Sequence, residues 1–428
     1  MHLRRLLSCV SLFILMPLAW GVERFPPPEF STDYRLPRLL LPAFRPEYLA
    51  YLDVAVLALA LGVAIWLVHT RRRQRGIMFL LLFSILYFGF YRRGCVCSIG
   101  AIQNVALAIF NHDYALPVTV AAFFLLPLAT ALFAGRVFCA GVCPLGAVQE
   151  AVLWRPIKVP AWLEHLLGML PYLYLGVGVL FAALGTRFFI CAYDPFIPLY
   201  RLNGPANILI FGGVLLIIGL FVGRPYCRFL CPYGVLLRWV APLARWKVRI
   251  TPTTCVQCRL CEDACPYGAI HPPTPPPNPA LRHEGKMRLA LAIIALPVLL
   301  ALGGWLGYRG IAPLAYQDPL VIQANALQAQ EAGTGSDAAG ISRAEKPVAP
   351  LYLQAAVQIS RYQFGGILFG AWVALVIGGK FIVLSIRRRR LEYEADAAAC
   401  VGCTRCYQSC PMSAQRTNSA TEGTAPPA

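Results

Sequence analysis

The chain has 428 residues, 58% hydrophobic and only 14% charged, with a mean hydropathy of +0.60. Soluble domains are about a quarter charged, so this composition excludes an ordinary soluble domain and points to an integral membrane protein. The formal charge of +18 collects at the ends of apolar runs (Arg71, Arg72, Arg73 and Arg75; Arg387 to Arg390) and forms no aromatic-interleaved basic face, which is the pattern of topology-setting charge and not of nucleic-acid binding.

In chain order, residues 1–21 have a basic start, a short apolar stretch and a small-x-small ending, which predicts a signal peptide or an uncleaved anchor. Cys9 within it reads as an apolar filler. Residues 22–48 form a Pro-rich segment expected on the exported side. Apolar runs of spanning length follow at 49–69, 76–91, 115–134, 166–185, 205–222, 287–306 and 364–386. The expected fold class is therefore an all-α polytopic membrane protein of about seven spans, with five of them in a membrane domain over 49–248. The basic clusters after the first span, before the sixth and after the last all place the same side in the cytoplasm, that is, on the inner face of a bacterial cytoplasmic membrane. The second span is short and is followed by Arg92 and Arg93 on the opposite side. A stiff Pro-rich connector is expected over 273–286, a flexible external loop over 307–363, and a disordered tail over 412–428.

Sixteen cysteines fall mostly in short groups. Cys255-x2-Cys258-x2-Cys261-x3-Cys265-Pro266 is the full bacterial ferredoxin run, and it recurs as Cys400-x2-Cys403-x2-Cys406-x3-Cys410-Pro411. In two-cluster ferredoxins three thiolates of a run wrap one cubane, while the fourth, before proline, reaches the other. The expected ligand sets are Cys255, Cys258, Cys261 and Cys410 for one [4Fe–4S] cluster, and Cys400, Cys403, Cys406 and Cys265 for the second. The halves, 249–272 and 387–411, flank two spans, an even number, so they return to one side and can meet. Reducing cytoplasm suits exposed clusters and disfavours disulfides.

A second pattern sits at span ends. "GRVFCAGVCPLG" at 135–146 recurs 88 residues later as "GRPYCRFLCPYG" at 223–234 (227 − 139 and 231 − 143). An i,i+4 spacing within a helical turn would put both thiols of a copy on one face. The two copies together present Cys139, Cys143, Cys227 and Cys231, with Arg136 and Arg224 to offset thiolate charge. This constellation reads as a metal or redox site at the membrane edge, a further iron–sulfur or iron site included. The alternative is two pairs of inert buried thiols ending helices. On the outer side, Cys95, Cys97 and Cys191 read as a metal or redox site, completed by His112 or Asp113, or as a structural disulfide such as Cys97–Cys191. A Cys95–Cys97 bond would be strained. His69, His112 and His165 are isolated and interfacial. Asp53 suits a snorkelling or capping role, or proton or quinone chemistry. No nucleotide-binding glycine loop, catalytic triad or zinc-protease motif is present, and no enzyme activity is assigned.

Over roughly residues 50–411 the two C-x3-C-P copies and the two ferredoxin runs resemble the membrane-bound polyferredoxin family of NosR and NapH, accessory proteins of nitrous-oxide and periplasmic nitrate reduction. The resemblance implies electron transfer between a cytoplasmic or quinone donor and an exported redox partner. NosR-like members carry a large exported flavin domain, for which residues 22–48 are too short, so the flavin would belong to a separate partner. Copper-oxidase assembly factors with similar motifs suggest the alternative, a redox-sensing or metal-reducing maturation or regulatory factor. A transporter is disfavoured by the scarcity of charge within the spans.

Overall fold

The computed structural model describes residues 46–94, 98–250, 255–274, 279–331, 348–386 and 390–412. The expected leader, residues 22–45 of the exported segment and residues 413–428 of the tail lie outside the described residues, as do Cys9, Cys95 and Cys97.

Among the described residues, five helices are long and apolar enough to cross a membrane, at 47–71, 74–91, 161–183, 285–317 and 350–385. The first is α1 (Glu47–Ile65) continued by a π-helical stretch, Trp66–Arg71. The second is α2 (Gln74–Ser84) continued by a second such stretch, Ile85–Tyr91. Asp53 on α1 is buried and paired with Arg92 at 2.9 Å, and it accepts a hydrogen bond from the Tyr87 hydroxyl, also at 2.9 Å. Arg92 is therefore the partner of a buried carboxylate, which explains a cation that the topology rule places on the wrong side.

Two predicted spans form apolar helices shorter than these five. After α3 (Ser98–Phe110), α4 (Val118–Ala134) has 17 residues and is bounded by Pro117 and by Gly135 at φ 73°. The predicted span at 205–222 forms a helix of 14 residues, Ala206–Gly219, which starts at Pro205. Both end early because a C-x3-C-P copy follows. In the first copy, α5 (Val137–Gly141) stops before Cys143, which caps α6 (Pro144–Ala151) in extended conformation with proline in the first helical position. Helices α7 (Ala161–Leu167) and α8 (Leu170–Ala183) make the third long segment, followed by α9 (Phe189–Ala192), α10 (Ile197–Arg201) and α11 (Ala206–Gly219). The second copy then repeats the first as α12 (Pro225–Phe229), Cys231 and α13 (Pro232–Val240). In each copy one carbonyl takes two amides: Phe138 accepts from Val142 and Cys143, both at 3.0 Å, and Tyr226 accepts from Leu230 and Cys231, both at 2.8 Å. The cysteines of a copy are thus not on one unbroken helical turn, as the spacing suggests. Proline cannot continue the first helix, so the chain breaks and restarts.

The first ferredoxin half holds α14 (Leu260–Asp263) and β1 (Ile270–His271). Two long helices follow, α15 (Pro279–Ile311) and, after α16 (Pro319–Glu331), α17 (Val348–Ser385). They cross at four glycines: a methyl at Gly303, Gly307, Gly366 or Gly370 would overlap the opposing backbone. Small residues at such crossings let membrane helices pack closely. The expected external loop over 307–363 is in part helical, because Ala355 and Tyr362 of α17 pack on Val321 and Ala324 and on Leu180, Leu184 and Ala315. The hairpin brings back β2 (Glu394–Ala395) and α18 (Arg405–Ser409). β2 pairs antiparallel with β1 in the register Ile270 to Ala395 and His271 to Glu394.

Candidate redox centre

The two ferredoxin loops have matching backbones. Gln257 and Arg259 of the first and Gly402 and Thr404 of the second, each pair shifted by 145 positions (402 − 257 and 404 − 259), all have positive φ. Such alternation turns successive amides inward, a shape suited to an anionic group. Cys406 lies within electrostatic reach of Cys403, Cys400, Cys265 and Cys261, and Cys261 within reach of Cys255 and Cys258. Cys265, from the first run, thus stands with Cys400, Cys403 and Cys406 of the second. Cys410 follows α18, while Cys258 is exposed.

The repeated motif also assembles. Burial first, then the neighbouring thiols, raise Cys143 and Cys231 well above the ordinary thiol value. Cys227 is raised to about 11, chiefly by burial against the lowering effect of Arg224. The four cysteines Cys139, Cys143, Cys227 and Cys231 are therefore mutual neighbours in a dry site. Their sulfurs meet aligned donors: the Gly234 amide to Cys231 Sγ at 3.3 Å, Gln149 Nε2 to Cys227 Sγ at 3.3 Å, and Arg136 Nη2 to Cys139 Sγ at 3.9 Å.

The copies exchange arginines across a pseudo-twofold. A methyl at Gly146 would sit 3.2 Å from the Arg224 guanidinium, and one at Gly234 would sit 3.7 Å from that of Arg136. Arg224, at φ 49°, also donates to the Cys139 and Ala140 carbonyls. The glycine three positions after each second cysteine thus makes room for the other copy's cation. Sequence reading places both arginines but misses this exchange, whose signal is the repeated C-P-x-G.

The ferredoxin module seats directly on this site. Arg136 Nη1 donates to the Ala398 carbonyl at 2.9 Å, linking the Cys400 loop to Cys139. Glu150 is buried between Arg224 at 2.9 Å and Arg405 at 2.7 Å, and accepts from the Tyr267 hydroxyl. Burial would raise the Glu150 carboxyl, but Arg224, Tyr267 and Arg405 together hold it below its ordinary value. Lys158 pairs with Glu262 at 3.4 Å and with Asp263 at 2.8 Å, tying the first ferredoxin half to the chain before α7. A methyl at Gly223 would come within 2.8 Å of the Pro266 carbonyl, next to Cys265. Gly223→Ala should therefore force the module off its seat, at a cost of about 1–3 kcal/mol. Faster proteolysis within 255–274 checks this, and unchanged protection would contradict the packing.

The donor set fits iron–sulfur clusters. Burial raises Cys400 to about 11 and Cys403 to about 12, so these thiols stay protonated until a cationic group draws the protons off. Buried donors without a protein acceptor flank the thiols: Arg136 Nε, Arg405 Nε and Thr404 Oγ1. Sulfide is an acceptor for such groups. Among the described residues no three His, Cys, Asp or Glu side chains are placed to share a single metal ion. The Cys191 amide donates to Gln103 Oε1 at 3.1 Å and the cysteine is exposed. Its predicted companions Cys95 and Cys97 lie outside the described residues.

Comparison with known proteins agrees with this chemistry. A family model described as a 4Fe-4S binding domain matches residues 116–169 and 203–251, one segment per C-x3-C-P copy, and a second model of the same description matches 248–271. The putative electron transport protein YccM of Escherichia coli is 31% identical over 156 residues, 32% of this chain and 43% of that protein. The uncharacterized protein MJ0750 of Methanocaldococcus jannaschii is 30% identical over 190 residues, 42% of this chain and 77% of that protein. The regulatory protein NosR of Pseudomonas aeruginosa is 29% identical over 208 residues, 45% of this chain and 29% of that protein. The chain thus spans less than half the length of the Escherichia coli relative and of NosR. No solved structure matches.

Proposed function

The chain belongs to the NosR/NapH-like family of membrane-bound ferredoxins, and from that premise we propose that it carries electrons across a bacterial cytoplasmic membrane, between a cytoplasmic or quinone-side donor and an exported redox partner. The observation that carries this reading is the seat of the ferredoxin module on the repeated cysteine site through Arg136, Glu150 and Arg405. Two cysteine groups held together by a buried network suit short-range transfer, whereas separate structural sites need no such contact.

Iron–sulfur clusters, when bound, supply the one-electron chemistry. The chain's part is to hold and tune them. Cys255, Cys258, Cys261 and Cys410 would ligate one cluster, and Cys400, Cys403, Cys406 and Cys265 a second. Cys139, Cys143, Cys227 and Cys231 would ligate a third group at the membrane edge. Arg136 and Arg224 offset the thiolate charge there, and the aligned N–H donors set the electron affinity of the site. The apolar walls around α5, α6, α12 and α13 exclude water. The outer cysteines Cys95, Cys97 and Cys191 would face the exported partner, such as a separate flavoprotein.

Anaerobically purified protein should hold about twelve irons per chain with matching sulfide; about eight would mean that only the ferredoxin pair is filled. A second reading, a redox-sensing or metal-reducing maturation or regulatory factor, is favoured by the name of the NosR relative, a regulatory protein. Repeated rapid reoxidation of the reduced protein by an exported acceptor distinguishes the conduit from a sensor, which would turn over once.

A further inference from the structure

Away from the cysteines, a cavity of about 570 Å³ opens where two apolar helices end together. It is lined by Ile65, His69 and Thr70 at the end of the first long helix, and by Ala244, Arg245, Trp246, Lys247 and Arg249 of the segment after α13. That volume lies within the ordinary range of small-ligand sites. Three hydrogen bonds fix its walls: the Arg245 amide to the Leu132 carbonyl at 3.2 Å, the Trp246 amide to the Phe133 carbonyl at 2.8 Å, and His69 Nε2 with the Ala134 carbonyl at 2.9 Å.

The lining has three cations, a histidine and no carboxylate. Among the described residues none of Arg245, Lys247 and Arg249 has an acidic partner. All three cations are exposed, as are the arginines at 71–75, but of these the three alone line the cavity. Trp246 of the lining is exposed, and so are Leu132 and Phe133, whose carbonyls bond the lining segment, and Leu243, next to Ala244. A cation-lined wall beside exposed apolar side chains and a tryptophan, at the end of the membrane-length helix 47–71, matches an amphiphile with a phosphate head.

We propose that this cavity binds the phosphate headgroup of an anionic phospholipid, with Arg245, Lys247 and Arg249 holding the phosphate and the acyl chains lying along Leu132 and Phe133. The site adjoins the redox module: the Arg249 main chain hydrogen-bonds the Tyr407 side chain, and the Arg72 guanidinium stacks 4.6 Å over that ring. Tyr407 follows Cys406, so a bound lipid would brace the ferredoxin loop against the membrane.

The test uses the full chain in nanodiscs of phosphatidylcholine, with or without phosphatidylglycerol, and counts retained lipid by native mass spectrometry. The wild type is expected to retain phosphatidylglycerol and not phosphatidylcholine. The variant R245Q/K247Q/R249Q should retain it at least about tenfold more weakly, while R71Q/R73Q/R75Q, with the same charge removed outside the cavity, retains it nearly as the wild type does. The single exposed change Lys247→Glu should also weaken retention, which keeps the test open if the triple variant folds poorly. Equal losses in the two triple variants, or no preference for phosphatidylglycerol, would overturn the proposal. Displacement by inorganic phosphate would reassign the site to a soluble anion and overturn the lipid assignment.

Discussion

Replacing Cys227 and Cys231 together by serine is expected to remove about four irons per chain while leaving the ferredoxin signals in the EPR spectrum. The two thiols belong to the repeated motif alone; the eight ferredoxin cysteines lie in segments of their own, joined to it through Arg136, Glu150 and Gly223. Serine keeps the shape of the side chain with a slightly smaller atom but is no thiolate, so the site loses half of its proposed thiolate ligands with little change in the core around Tyr226 and Tyr233. Transfer from a cytoplasmic reductant to an exported acceptor in proteoliposomes should fall to background. Unchanged transfer would remove the membrane-edge site from the pathway. Loss of the ferredoxin signals as well would mean that the seat, and not only the site, had collapsed.

Glu150→Gln should have the second large effect. The carboxylate is buried against Arg224 and Arg405, one cation from the repeat and one from the second ferredoxin run. Removing one partner of a buried ion pair costs about 3–5 kcal/mol, because the charge left behind has no compensation. The partial exposure of Arg405 puts most of that cost on Arg224. The expected outcome is a less stable protein in which amides of 396–406 exchange faster with solvent, and in which the ferredoxin reoxidises slowly even with every cysteine in place. The pH dependence follows from the sign of the shift. Glu150 is held below its ordinary value of 4.5 in the folded chain, so its contribution is fully present above that pH and is lost as the pH falls through the depressed value. Docking should be flat from neutral pH down to the ordinary carboxylate range and fail only below it. Release near pH 6 would show that another group holds the module.

The ferredoxin halves could be read from the chain because three thiolates around a cubane need short, fixed spacings, and the spacing survives the insertion of two long helices between Cys265 and Cys400. The repeat at Cys139 and Cys227 was equally visible, as was the apolar character of the segments. The count of spans was less so. Hydropathy measures apolar length, but Pro117, Pro205 and the C-x3-C-P copies cut α4 and α11 short. Arg92 misled as a topology charge because its buried partner, Asp53, lies 39 positions earlier (92 − 53). The helical start of α17 was hidden in a stretch whose apolar residues make sense only against Leu180 and Val321.

Local spacing therefore singled out the cysteines proposed to carry the chemistry, since metal ligation by a loop is a short-range constraint written in consecutive positions. Only the tertiary structure decided how those groups face one another: the crossed pairing of Arg136 with Gly234 and Arg224 with Gly146, the contact of Gly223 with Pro266, and the placing of Glu150 between two cations. None of these leaves a periodic trace. Each joins residues from 74 (224 − 150) to 255 (405 − 150) positions apart, or 43 in the case of Pro266 (266 − 223), and each follows from the need to compensate charge and close-pack backbone in a buried site.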